Sequence, residues 1–264
     1  MACQQLRSIS LPVRPHALVQ ELEDELHRLR SGASASSSAS PAALAARLGD
    51  AYGRIEELVR LPGDAAALSS ARWRPAVEAW LDASVALLDL CERARDAAAG
   101  AKQHVRAARC ALRRGDAELA GAAVRGYARC LAKAIKQLAS GGAKRSLIKQ
   151  ADHGEEAPTA VRVLAEAVAV TVAVLRHAMA SLSSAARIVD ARRKKSMWCV
   201  VSRLVRSRDW SRGVCGDLDG DYGAAAEETL RELEDSVEAV EGGLEHLFRH
   251  IVQSRVALLN VLTL

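Results

Sequence analysis

The sequence is poor in aromatic residues. Only 3% of its 264 residues are Phe, Trp or Tyr, with a single phenylalanine among them. A surface on which nucleic-acid bases stack needs several aromatic side chains, so this composition argues against such a surface. Neither zinc-finger nor basic-zipper spacing occurs. We therefore expect no nucleic-acid partner.

The motifs of common catalytic sites are also missing. The chain has no P-loop lysine motif, no glycine-rich dinucleotide fingerprint after a strand and no G-x-S-x-G nucleophile elbow. Its six cysteines include no C-x-x-C pair, and most fall in helical patterns, where cysteine packs as a small apolar residue. We expect a protein without enzymatic activity, cofactor or metal.

Long uncharged apolar runs are absent too. A bilayer crossing needs about 18 such residues, whereas the best run, 167–175, lies between Glu166 and Arg176. The N-terminus lacks the basic flank and apolar stretch of a secretory signal. We expect a cytoplasmic protein that does not cross a membrane. Four acidic residues within 21–25 argue against a plastid transit peptide.

What the sequence does contain is helical periodicity. Half of the residues are hydrophobic and 26% are charged, as in an ordinary globular protein. Apolar residues recur three and four apart, and strand signals are absent. We predict a first helix over 17–30 and a second from Ser40-Pro41 to a stop at Pro62-Gly63. Three more are predicted over 75–114, between Gly115-Asp116 and Gly141-Gly142, and from Pro158 through Val189.

The final helix has the most regular pattern. Its apolar residues form a heptad seam of Leu230, Leu233, Val237, Val240, Leu244, Leu247 and Ile251, which Ser254 interrupts. Gly242-Gly243 would let a neighbour approach closely. A core helix of a bundle is favoured over a free-standing coiled-coil dimer. The predicted fold is therefore all-α, an elongated bundle of long antiparallel helices with a coiled-coil-like C-terminal helix.

Two segments of different composition divide the chain. Residues 1–40 are predicted to be an N-terminal tail with one short helix and a Ser-rich linker at 31–40. Residues 41–264 are predicted to form the helical-bundle domain. The oligomeric state stays open.

Charge is unevenly distributed. Residues 102–149 carry 12 basic and 2 acidic residues, a net +10, and residues 187–212 carry 9 and 2, a net +7. Residues 223–264 carry 8 acidic and 3 basic residues, a net −5. The favoured interpretation is that basic and acidic helices pair side by side within one bundle.

One basic amphipathic segment has an aromatic anchor. Its characteristic residues are Arg192, Arg193, Lys194, Lys195, Trp198, Arg206 and Arg208. Such a segment suits an anionic membrane surface or the groove of calmodulin, and its four-residue basic cluster also resembles a nuclear import signal, which leaves a nuclear location as an alternative. A buried amphipathic helix is the simpler interpretation.

The N-terminal tail contains a candidate phosphorylation motif. Arg7 and Ser8 precede Ser10, and Pro12 follows it by two residues. This arrangement resembles the R-S-x-phosphoserine-x-P ligand of 14-3-3 proteins. Phosphorylation would add about −1.5 to −2 charge for an arginine cluster of the partner to bind. An unmodified disordered tail is the alternative.

Two short patterns imitate metal sites. His246 and His250 are four residues apart, but no third ligand is evident, so solvated or helix-terminal histidines are favoured. Residues 217–228 resemble a calcium loop in part, yet Tyr222 occupies the position that requires Gly. A solvated acidic turn that caps the following helix is favoured there.

Several segments together resemble one protein family. They are residues 7–12 with 21–26, 80–91 with Arg95-Asp96, 112–114, and 241–249 (EGGLEHLFR) with 255–261 (RVALLNV). In these segments the chain resembles the plant-specific family related to the BYPASS proteins. The resemblance implies an all-helical protein without known enzymatic activity, linked to root and shoot development and to control of a mobile root-derived signal. It supplies no catalytic residue.

Overall fold

A computed structural model describes residues 15–34, 39–140, 157–206 and 218–263, with the backbone alone described at 15–16, 117, 140, 186–206 and 218–224. In these ranges the chain forms helices and no strand, which confirms the predicted all-α class. The helices are α1 (Pro15–Gly32), α2 (Pro41–Arg60), α3 (Pro62–Ser69), α4 (Arg74–Arg113), α5 (Ala117–Ser140), α6 (Thr159–Arg206) and α7 (Leu218–Thr263).

Local residues set the helix ends that the sequence predicted. The Ser40 hydroxyl accepts a hydrogen bond from the Ala43 N–H at 3.4 Å, and Pro41 opens α2. At the end of α4, Gly115 adopts a left-handed φ of 74°. Its N–H donates to the Leu112 carbonyl at 2.9 Å and the Asp116 N–H to that of Ala111 at 3.0 Å. This is a Schellman turn, and it allows α5 to fold back beside α4.

The Pro62-Gly63 stop is only partly as predicted. Helix α2 ends at Arg60, and Leu61 is extended with ψ 133°. The chain then resumes as the short helix α3, which the sequence did not predict. Proline disrupts the interior of a helix, but it is well tolerated at the first helical position. Pro62 therefore separates two helices rather than beginning a loop.

The first helix belongs to the core, so the predicted start of the folded domain at Pro41 is wrong. Leu22, Leu26 and Leu29 of α1 are fully buried in the same apolar cluster as the longer helices. Three ion pairs also hold α1, from Glu23 to Arg162 at 3.0 Å, from Glu25 to Arg47 at 2.8 Å and from Arg30 to Glu166 at 3.1 Å. Burial of three leucines outweighs these exposed pairs in energy.

Helix α7 lies between α2 and α4, as expected for a core helix of a bundle. Every member of its heptad seam is buried. Contacts with α4 run in opposite order along the two helices, from Arg95 with Glu245 to Arg113 with Glu227, so this pair is antiparallel. Helices α4 and α5, and α5 and α6, are also antiparallel. Contacts with α2 run in the same order, so α2 is parallel to α7.

Helix α6 contains the most apolar stretch. Residues Thr159–Ala185 have a mean hydropathy of 1.6 in their best window, long and apolar enough by length and composition to cross a membrane. No such stretch was predicted from the sequence, because only runs without any charged residue were considered. Of this window, 61% is buried inside the bundle, where α6 contacts α1, α2, α4, α5 and α7. Burial on several sides accounts for its apolarity.

Candidate interaction surfaces

The predicted site residues fall into two groups. Arg7, Ser8, Ser10 and Pro12 of the tail motif, and Arg208, lie outside the described residues. The rest of the basic amphipathic segment, Arg192, Arg193, Lys194, Lys195, Trp198 and Arg206, belongs to helix α6. Helix α6 therefore extends past Val189, the end that the sequence predicted, and includes this part of the segment. The segment's role in binding stays a prediction.

A row of ion pairs joins α4 to α7, and we call it the charge ladder. It links Arg95 to Glu245 at 2.5 Å, Lys102 to Glu241 at 2.9 Å, Arg106 to Glu234 at 2.6 Å, Arg109 to Glu234, and Arg113 to Glu227 at 2.7 Å. Its members recur three, four or seven residues apart, so they follow one face of each helix. The predicted pairing of basic and acidic helices is therefore confirmed for α4 and α7.

Glu234 is the central acid of the ladder. Only 11% of its side chain is exposed, and both Arg106 and Arg109 donate hydrogen bonds to it. The hydrogen bond from Arg106, followed by that from Arg109, holds the pKa of this carboxyl below its ordinary value, although burial acts in the opposite direction. Glu234 is therefore a charged partner of α4.

Helix α5 carries basic residues of a different kind. Arg125, Arg129, Lys133 and Lys136 are all exposed, and they follow one face of the helix at spacings of four, four and three. None forms an ion pair with a described carboxylate. We call these four residues the α5 basic stripe. A shallow depression of about 490 Å³ beside it is lined by Arg129, Ala132, Lys133, Lys136 and Gln137.

The two histidines of α7 lie at a helix interface rather than in solvent or at a helix end, which corrects the sequence interpretation. A side-chain carbon at Gly49 of α2 would overlap the His246 ring, and one at Gly53 would lie 3.5 Å from Nδ1 of His250. His246 Nε2 lies 2.9 Å from the Asp50 carboxylate. In the part of the chain that is described, no three His, Cys, Asp or Glu residues are grouped to hold a metal.

His250 has fewer polar partners than His246. Its Nδ1 is buried without a hydrogen-bond partner, and its ring meets that of His246 edge to face at a centroid distance of 4.5 Å. Burial, and next the neighbouring His246, lower the pKa of His250, while Asp50 and Glu56 act in the opposite direction. In the sequence, Gly49 and Gly53 are four residues apart, which indicates that another helix can pack closely against this face of α2. The spacing does not identify that helix as α7.

A buried polar layer explains why Ser254 interrupts the heptad seam. The Ser254 hydroxyl lies 2.7 Å from the His250 carbonyl and 3.1 Å from the Tyr52 carbonyl. The Tyr52 hydroxyl lies 2.9 Å from the Thr171 hydroxyl, which links α2 to α6. Burial raises the pKa of Tyr52 above its ordinary value and that of Cys91 to about 12. Both groups are therefore protonated at neutral pH and pack as structural residues.

Arg255 holds α7 to the start of α4, a contact that sequence reasoning missed. Its guanidinium donates hydrogen bonds to the Leu81 carbonyl and, at 2.6 Å, to the Ser84 hydroxyl. Ser84 is fully buried and interrupts the apolar face of α4. A buried serine in an otherwise apolar face was the only available signal, and it does not identify its partner.

The calcium-like segment is mostly helical. Helix α7 begins at Leu218, so Asp219 and Asp221 lie within the first turns of that helix. They do not form a turn that precedes it, as the sequence had suggested. Acidic residues near a helix N-terminus are favourable because of the helix dipole. Asp217 lies outside the described residues.

Comparisons with known proteins bear on the whole bundle. No curated protein and no solved structure matches the chain. A family model described as Protein BPS1 matches residues 46–261, a range that includes most of α2 and almost all of α7. The match covers far more than half of the 264 residues, and it agrees with the resemblance found in the sequence. The chain therefore belongs to the BPS1 family, a BYPASS-related plant family.

Proposed function

We propose that this protein is a non-enzymatic regulator that acts through contacts with other proteins, in the control of root and shoot development. The observation that carries the proposal is the division of its charges. Five basic residues of α4 are paired with glutamates of α7 in the charge ladder, whereas the α5 basic stripe faces outwards. Membership of the BPS1 family supports the developmental role. The proposed location is cytoplasmic, with the nucleus as the alternative.

We further propose that phosphorylation of Ser10 controls these contacts. Arg7 and Pro12 are spaced around Ser10 as in 14-3-3 ligands. The phosphate would form charge-assisted hydrogen bonds with an arginine cluster, and the proline would direct the chain out of the groove.

A binding measurement with peptides tests the role of Ser10. Peptides of residues 4–15, phosphorylated at Ser10, phosphorylated at Ser8 or carrying Ser10→Ala, are titrated with a 14-3-3 protein by fluorescence anisotropy. The Ser8 phosphopeptide is a matched control because it has equal charge but Gln5 three residues before the phosphate. We expect the Ser10 phosphopeptide alone to bind, at least tenfold more tightly than the control. Equal binding of both phosphopeptides, or of neither, contradicts the proposal.

The second candidate is a peripheral membrane or calmodulin-binding adaptor that uses residues 192–208. It is favoured by the unbroken course of α6 to Arg206, because both partners bind such segments as helices. Liposome flotation and calcium-dependent calmodulin binding are compared for the wild type and a Lys194→Glu, Lys195→Glu, Trp198→Ala variant. A loss of binding in the variant supports this candidate, and identical behaviour of the two proteins eliminates it.

A further inference from the structure

The α5 basic stripe differs from the basic face of α4 in one respect. On α4, Lys102, Arg106 and Arg113 each meet a carboxylate within 3.0 Å. On α5, none of the four stripe residues is paired with a described acid, and all are exposed. The one acidic residue in α5, Glu118, is two turns away from Arg125.

The charge ladder indicates which partner such a stripe accepts. Lys102, Arg106, Arg109 and Arg113 are spaced by four, three and four residues, and they bind an antiparallel helix whose glutamates recur at helical spacing. The stripe has the same kind of spacing, in the order four, four and three. The acidic face of α7 is already engaged with α4. The surface complementary to the stripe is therefore not that of α7.

We propose that the α5 basic stripe is a docking surface for an acidic helix of a partner protein. Between its cations α5 exposes only small side chains, Ala128 and Ala132. A membrane-binding helix instead needs large apolar anchors, and a nucleic-acid platform needs aromatic residues. The small alanines let a second helix approach closely, and the depression beside Lys133 gives room for glutamate side chains.

The inference deepens the proposed function, because it assigns one of the protein contacts to a surface. It uses no residue of the tail. The 14-3-3 measurement and the measurement described next can therefore fail independently of each other.

A helical probe peptide tests the docking surface. The probe is a fluorescent alanine-based helix with four glutamates at spacings of four, four and three, and its binding to the full chain is followed by anisotropy. We expect replacement of Arg129, Lys133 and Lys136 by glutamine to weaken binding about tenfold, because each lost charge pair contributes a few-fold at low salt. Glutamine favours helix, so the fold is retained, which far-UV circular dichroism verifies.

Two control variants separate local recognition from net charge. In the first, Arg54, Arg93 and Arg114, exposed basic residues on other faces, are replaced by glutamine. It has the same net charge as the stripe variant, and we expect binding within twofold of the wild type. In the second, Arg129→Lys, Lys133→Arg and Lys136→Arg keep the charges and should retain binding.

Other outcomes overturn the proposal. Equal weakening in the first control variant would mean that only net charge matters. Phosphatidylserine vesicles and a double-stranded DNA oligomer are tested in parallel with the same variants. Tighter, stripe-dependent binding of either one than of the acidic helix would assign the surface to a different class of partner. A failure of the probe to bind the wild type at low salt also rejects the acidic helix.

Discussion

Adjacent glycines in α7 differ in their surroundings, and this difference gives a prediction for single residues. A side-chain carbon at Gly243 would lie 2.8 Å from the Ala42 carbonyl oxygen and 3.1 Å from the Ala45 side chain, whereas one at Gly242 would meet nothing within 4 Å. The close approach expected from the sequence thus occurs at Gly243.

We expect Gly243→Ala to destabilise the protein by about 1–2 kcal/mol, because the clash with backbone exceeds the gain in helix propensity. Gly242→Ala should stabilise it by about 0.5–1 kcal/mol, since it gains propensity without a clash. Urea unfolding of the two variants gives both values. A decrease in stability of similar size at both positions would contradict the assignment of the contact to Gly243.

The roles of some single residues could be predicted from the sequence, and those of others could not. Ser40, Gly115 and Asp116 act on neighbours a few residues away, so their roles as helix caps were predictable. The position of His246 against Gly49 depends on contact between two helices about 197 residues apart in the chain. Periodicity shows that a helix has an apolar face but does not identify the helix that covers it.

At the scale of elements, the charge ladder holds α4 to α7, and a substitution of Glu234 tests how much it contributes to stability. We expect Glu234→Gln to destabilise the protein by about 1–3 kcal/mol at pH 7, because two arginines lose a charged acceptor. The pKa of Glu234 is lowered in the folded state, so its contribution is complete above its ordinary value of 4.5 and is lost as the pH falls below it. The difference between wild type and variant should therefore shrink in acid.

Urea unfolding at several pH values between about 3 and 7 measures this difference. The matched control is Glu232→Gln on the same helix, because Glu232 is exposed and has no ion pair with a described residue. Its effect should stay within about 0.5 kcal/mol. A Glu234→Gln effect that is equally large at pH 3 would show that packing rather than charge is responsible.

Whole elements were predicted well where they are long and less well where they are short. The periodicity of α4, α6 and α7 extends over many turns, so their existence followed from the sequence. The ends were less certain, because α6 continues to Arg206, well beyond the predicted Val189. The eight-residue α3 has little periodicity and was missed. Leu119, an apolar residue in the first turn of α5, is 55% exposed although the adjacent Ala120 is buried.

The molecule as a whole should be elongated. At about 1.5 Å per residue, the 40 residues of α4 span about 60 Å and the 46 residues of α7 about 69 Å. These helices stay side by side from Arg255 with Ser84 to Glu227 with Arg113. A compact chain of this length has a radius of gyration of about 18 Å.

Small-angle scattering can test this shape. We expect a radius of gyration clearly above about 18 Å and a maximum dimension of about 70 Å or more. A maximum dimension below about 60 Å would require α4 to bend or break in solution.

The parallel packing of α2 against α7 also affects how the chain is made. Tyr52 and Ser254, which are hydrogen bonded, are 202 residues apart. At about 5–20 residues per second on the ribosome, roughly 10–40 s pass between the synthesis of α2 and that of α7, which covers its apolar side. During synthesis that side needs temporary protection, which chaperones or the intervening helices would have to provide.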